Sequence, residues 1–202
     1  MEVKMIIGLP IKKFTEAYTR LNNVISLDER VHLSKALLEN IVNCFNQSNN
    51  DIYLITKDKE AIEFAEELEV FSYSSSHEGL NSEIKEFFDA TVSTNSPWCI
   101  IHSDLPYINK FNAKQVEEEV KRNDFLASRS EDNGTPIFGG TKSINKFHYG
   151  KDSFSKFKKE IEEIGNELHI IFPRELNFEI DTEENYKEFI DNLPNWYKEF
   201  RT

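Results

Sequence analysis

At 202 residues the chain is long enough for one well-buried domain and short for two. Hydrophobic residues make up 39% and charged residues 30%, and 16 Phe with 7 Tyr supply bulky core material, a balance that excludes extended disorder. With 36 acidic against 24 basic residues the net charge is -12, which argues against broad electrostatic binding to nucleic acid or an anionic membrane. A local phosphate site stays open, because Lys4, Lys12, Lys13 and Arg20 gather in the first 21 residues. Cys44 and Cys99 fit no zinc-ligand spacing and are read as reduced thiols. No apolar run has the length of a membrane span and no cleavable leader is recognisable, so a cytoplasmic location is expected.

In chain order, Val3 to Leu9 is short, apolar and closed by Pro10, the pattern of a first strand feeding a basic loop. Ser26-Leu27-Asp28-Glu29 fits a capping box and predicts a helix from Leu27 to Phe45. Ile52 to Ile55 reads as a strand, Lys59 to Leu68 as a helix and Val70 to Tyr73 as a strand. Gly79-Leu80-Asn81 then opens a helix ending near Val92, a helix entrance whose free N–H groups can receive ligand oxygens or serve as an ordinary cap.

Trp98 to Ile108 is the most informative stretch. An apolar run ends abruptly in His102-Ser103-Asp104-Leu105-Pro106, and proline forbids its continuation as a central strand. Asp104 is thus expected at a strand's carboxyl end, where open α/β sheets bind ligands. Downstream, Ala113 to Arg122 reads as helix, Phe125 to Ser128 and Ile137 to Gly140 as strands, and Lys151 to Ile164 as helix. His169 to Phe172 and Asn177 to Ile180 read as extended, and Thr182 to Leu193 as a last helix. The alternation predicts a single domain over residues 1–202, a three-layer α/β/α sandwich with some antiparallel pairing in its second half.

Asp181 falls at the end of a second expected strand, so Asp104 and Asp181 can be read as oxygen ligands for one Mg²⁺ held between neighbouring strands. Capping of the following helix by Asp181 is an equally good reading. The chain has no GxxxxGK[ST] loop, no GxGxxG after a strand and no GxSxG elbow. The five His lack metal spacing, and only His102, on the same strand face as Asp104, is a candidate for the site.

Several motifs in this order and spacing resemble the 2-phospho-L-lactate guanylyltransferase family, also called CofC. They are Pro10-Ile11-Lys12, Thr19-Arg20-Leu21, Ser26 to Arg30, Gly79-Leu80-Asn81, His102 to Pro106, Gly134-Thr135, Tyr149 to Phe154 and Ile180-Asp181-Thr182, together covering residues 3 to 190. The resemblance implies a nucleotide-diphospho-sugar-transferase-like fold and a Mg²⁺-dependent enzyme of coenzyme F420 biosynthesis. Such an enzyme couples GTP to 2-phospho-L-lactate or phosphoenolpyruvate, a small phosphorylated three-carbon acid, and releases pyrophosphate.

Carried over motif by motif, the resemblance implies that Asp104 and Asp181 hold the metal. It further implies Lys12 and Arg20 near the triphosphate, Pro10, Gly79 and Asn81 at the nucleotide, and Thr135, Gly150 and Ser153 at the acceptor. Lys12, Arg20 and Asp104 would then carry the chemistry. Tyr18, Pro136 and Phe157 depart from the family pattern, where Lys, Asn and His are usual. Two alternatives stay beside this reading: a related nucleotidyltransferase with another acceptor, and a catalytically silent nucleotide-binding regulatory protein. A homodimer is compatible with the family.

Overall fold

The computed structural model describes residues 4–46 and 49–200. Seven strands form one mixed sheet: β1 Ile6–Pro10, β2 Asp51–Ile55, β3 Phe71–Tyr73, β4 Trp98–Ile101, β5 Phe125–Ser128, β6 Ile137–Gly140 and β7 Leu168–Ile171, in the order β3-β2-β1-β4-β6-β5-β7. All neighbours run parallel except β6, which is antiparallel to both β4 and β5. The antiparallel pairing expected in the second half is thus confined to this one inserted strand. The helices are α1 Leu27–Phe45, α2 Lys59–Glu67, α3 Leu80–Thr91, α4 Lys110–Arg122, α5 Ser153–Glu163, α6 Glu183–Asp191 and α7 Asn195–Phe200.

Alternate residues of each central strand feed opposite faces, which makes three layers. Leu9, Leu54, Cys99, Ile101 and Ile137 pack with Leu38, Ile41 and Phe45 of α1 and Ala113, Val116 and Val120 of α4. On the other face Trp98, Ile100, Phe125 and Phe138 pack with Ile84, Phe87 and Phe88 of α3 and Phe154, Phe157 and Ile161 of α5. Gly8 lets α3 approach this face, since a Cβ there would sit 2.7 Å from Phe87, 2.8 Å from Ile100 and 2.9 Å from Ile55. Among the described residues no helix is long and apolar enough to cross a membrane.

Helix α1 has the bounds expected from its capping box. The Ser26 hydroxyl accepts from the Glu29 N–H at 3.3 Å, and the Glu29 carboxylate accepts from the Ser26 N–H at 2.8 Å. Strand β1 includes Pro10, whereas Val3 lies outside the described residues. Proline is tolerated there because the Ile11 N–H turns toward β2, bonding the Ile55 carbonyl at 3.0 Å. The Pro10 nitrogen therefore faces the β4 side, where pairing with β1 has stopped at Gly8.

Three expectations are corrected. Helix α4 begins at Lys110 rather than Ala113, because Asn109 caps it, its side-chain oxygen accepting the N–H of Phe111 at 2.9 Å and of Asn112 at 3.2 Å. Asn177 to Ile180 is not a strand but an irregular stretch after a single 3-10 turn, Arg174–Leu176. Its buried Phe178 and Ile180 do alternate, yet they pack against Leu21, Leu33, Leu37, Phe189 and Tyr197, a helical side cluster, and not against the sheet. Asp181 is consequently not at a strand end, nor does it cap α6, whose first turn is held by Thr182 accepting the Asn185 N–H at 3.2 Å.

Candidate active site

Strands β1 and β4 are adjacent and parallel, and their crossovers diverge, β1 leading through α1 to β2 on one side and β4 through α4 to β5 on the other, beyond the later β6. The loops leaving their carboxyl ends therefore part at a topological switch point, the position of the ligand crevice in open α/β sheets. His102 and Asp104 lie in the loop after β4, and Lys12 is exposed in the loop after β1. Fully buried Leu105 and Ile108 pin the β4 loop to the core, and the His102 N–H donates to the Pro136 carbonyl at 2.8 Å.

The irregular 177–181 stretch is drawn to this loop by one backbone bond, from the Ile180 N–H to the Asp104 carbonyl at 3.1 Å. That bond carries Glu179 into the crevice. The Glu179 carboxylate takes His102 Nδ1 at 2.7 Å, and ligand atoms of His102, Asp104 and Glu179 all lie within 4.8 Å of one another. Among the described residues, Asp104 Oδ1 and His102 Nε2 are buried without a hydrogen-bond partner. Burial, then the charge of Glu179, pushes the Asp104 carboxyl up to about 7, against a smaller downward pull from His102. For His102, burial is the largest influence and lowers the pKa, but the Glu179 hydrogen bond and the charges of Glu179, Asp104 and Asp132 carry it above its usual value.

An orphaned carboxylate oxygen among like charges fits a divalent cation, which would relieve both the missing partner and the repulsion. Sequence reasoning missed Glu179, because an acid between two buried apolar residues reads as the solvent face of a strand. The expected partner Asp181 is exposed and ion-paired with Arg20, itself held on a short 3-10 turn, Thr19–Leu21. The two candidates are thus together, and the Asp181 charge still reaches Asp104. Tyr18 adopts a left-handed conformation, with φ 52, within reach of the charges of the same acids. Burial, followed by the charges of Asp104 and Glu179, holds its phenol well above the ordinary pKa.

The acceptor candidates meet on the β6 side of the crevice. Thr135 and Ser153 are buried with their hydroxyls 2.9 Å apart. One proton serves that bond, leaving the other hydroxyl hydrogen for a further acceptor. The turn before Thr135 is laced to α5 by the Phe154 N–H on the Asn133 carbonyl and the Asn133 amide on the Ser155 hydroxyl. A Cβ at Gly134 would lie 2.5 Å from the Ser130 hydroxyl, and 3.6 Å from Glu179, so this turn abuts the acidic cluster. Gly79 and Gly150 have φ of +96 and +109, and a Cβ at either would meet nothing within 4 Å. The left-handed φ accounts for glycine at both positions. The Asn81 side chain is instead bonded to the backbone of Tyr149.

A mixed sheet with acids at the β4 terminus and a hydroxyl pair opposite makes a three-layer α/β domain, whose fold is shared with nucleotide-diphospho-sugar transferases. The chain superimposes with a TM-score of 0.78 on a Desulfovibrio desulfuricans protein described as a nucleotide-diphospho-sugar transferase, at 15% identity over 96% of this chain and 89% of that one. It belongs to the CofC-like guanylyl transferase family, whose profile matches residues 3–192. It is similar to the 2-phospho-L-lactate guanylyltransferase of Methanosphaera stadtmanae, with 27% identity over 193 residues, 93% of this chain and 84% of the relative. The enzyme of the same name from Methanobrevibacter smithii is 28% identical over 128 residues, 63% of this chain and 57% of that relative's length.

Proposed function

We propose that this protein is a guanylyltransferase that joins the GMP moiety of GTP to the phosphate of 2-phospho-L-lactate or phosphoenolpyruvate, releasing pyrophosphate, as an activating step of coenzyme F420 assembly. The observation that carries this reading is the buried, partnerless Asp104 oxygen at the carboxyl end of β4, set against Glu179 in a chain of the CofC-like family.

The acceptor phosphate is already anionic near neutral pH, so it attacks the α-phosphorus of GTP without a dedicated base. One acceptor-oxygen bond to phosphorus forms as the bond to the β-phosphate oxygen breaks, and the electron pair leaves with pyrophosphate. Lys12 and Arg20 offset charge on the triphosphate, while Pro10 and Gly79 line the nucleotide side. Thr135, Gly150 and Ser153 receive the acid with hydroxyl and backbone donors. Asp104 and Glu179, with Asp181 beside them, would hold Mg²⁺, which supplies charge neutralisation on the phosphates, and His102 fixes the Glu179 rotamer through Nδ1. With this reading go one catalytic domain over residues 1–202, a cytoplasmic location where GTP is available, and a homodimer as the compatible assembly.

The test is pyrophosphate release from GTP and Mg²⁺ with 2-phospho-L-lactate, phosphoenolpyruvate or no acceptor, with ATP and CTP as controls. Release that requires both GTP and one phosphoacid is expected. Absence of release with either acid contradicts the reading and favours another acceptor or a silent nucleotide-binding protein.

A further inference from the structure

Tyr149 lies in the stretch between β6 and α5, which forms neither helix nor strand. Its backbone polar groups nevertheless need partners, because the residue is buried. Asn81, the second residue of α3, supplies both: its Oδ1 accepts the Tyr149 N–H at 2.7 Å, and its Nδ2 donates to the Tyr149 carbonyl at 3.1 Å. The side-chain amide thus imitates a strand neighbour across 68 residues of sequence.

What this clamp holds is the acceptor side. The Tyr149 ring packs against Phe157 at 5.3 Å and against His102 at 5.2 Å between centroids, so it backs the residue that orients Glu179. The next residue, Gly150, gives its carbonyl to the Ser153 N–H at 3.1 Å, and Ser153 in turn bonds Thr135. A continuous chain of contacts therefore runs from α3, whose entrance at Gly79 faces the nucleotide side, into the acceptor pocket.

We infer that Asn81 is a positioning residue for the phosphoacid, acting through the Tyr149 peptide rather than by touching the nucleoside. The inference rests on the guanylyltransferase reading for its substrate, and on the two hydrogen bonds for its geometry. Asn81→Ala removes both bonds, and Asn81→Asp keeps the acceptor oxygen while setting a carboxylate against the Tyr149 carbonyl.

The experiment measures, for wild type and both variants, KM for the phosphoacid, GTP affinity by calorimetry and amide exchange over 147–153. Acceptor KM should rise about tenfold in Asn81→Ala, the size of two modest net hydrogen bonds, and exchange at Tyr149 should quicken. GTP affinity should stay within about twofold, a split that general destabilisation would not produce. A GTP loss equal to or larger than the acceptor loss overturns the inference, and so does unchanged exchange at Tyr149. If the wild type turns over no phosphoacid, the guanylyl-transfer reading falls, while the exchange and GTP arms still decide the clamp.

Discussion

Asp104 is the residue on which the proposed chemistry of this site turns. Its Oδ1 has no partner among the described residues, and burial with Glu179 opposite drives its carboxyl up to about 7. Removing the charge removes a repulsion, so Asp104→Asn should melt no lower than wild type without metal, yet lose its thermal shift with Mg²⁺ and at least about 100-fold in turnover. A variant with a normal Mg²⁺ shift and activity would contradict the assignment. The abrupt end of an apolar strand at Asp104 is written in consecutive residues, which is why the sequence exposes it. Glu179 is not legible in that way, because it reaches the cluster through a tertiary bond from Ile180 to the Asp104 carbonyl. Nor does the Gly-Leu-Asn motif disclose that the Asn81 amide is spent on a peptide 68 residues away.

At the scale of elements, the β3 to α3 connection is held by α3 itself. The Glu86 carboxylate accepts from the Ser76 N–H at 2.8 Å, the His77 N–H at 3.2 Å and the Ser76 hydroxyl at 2.9 Å, and from the Ser75 hydroxyl. The Ser75 and His77 side-chain bonds lead in lowering its carboxyl to about 2. Because the folded pKa is depressed from 4.5, this contribution is present above pH 4.5 and is lost as pH falls toward 2. Glu86→Gln should therefore speed amide exchange at Ser76 and His77 at pH 6, with the difference from wild type shrinking as pH falls from 4.5 through about 2. A difference that persists at the acid end would count against the carboxylate. Elements with local signals are legible from sequence, α1 by its capping box and β5 and β6 by short apolar runs between turns. The 177–180 stretch is not, since period-two burial looks the same whether its apolar residues face a sheet or, as here, a helical cluster.

Over the whole molecule, the sheet order brings three separated segments to one crevice: the loop after β1, the loop after β4 and the turn before β6. Helix α3 packs close against β1, an approach that Gly8 permits. Gly8→Ala should destabilise the fold by about 1–3 kcal/mol, read as a lower denaturant midpoint with unchanged slope, since Phe87, Ile100 and Ile55 must shift. An unchanged midpoint would show that α3 has slack. The β/α alternation makes the three layers legible in the sequence, whereas the insertion of antiparallel β6 between β4 and β5 is a pairing choice that no local residue pattern encodes.

The proposed reaction joins two phosphates, and its product carries both. Incubation with GTP, Mg²⁺ and 2-phospho-L-lactate or phosphoenolpyruvate, followed by ³¹P NMR and mass spectrometry, should give pyrophosphate and a phosphoanhydride of GMP with the acid in equal amounts. Pyrophosphate accompanied by free GMP would make the protein a hydrolase toward GTP, and unchanged GTP with both acids would contradict guanylyl transfer to either.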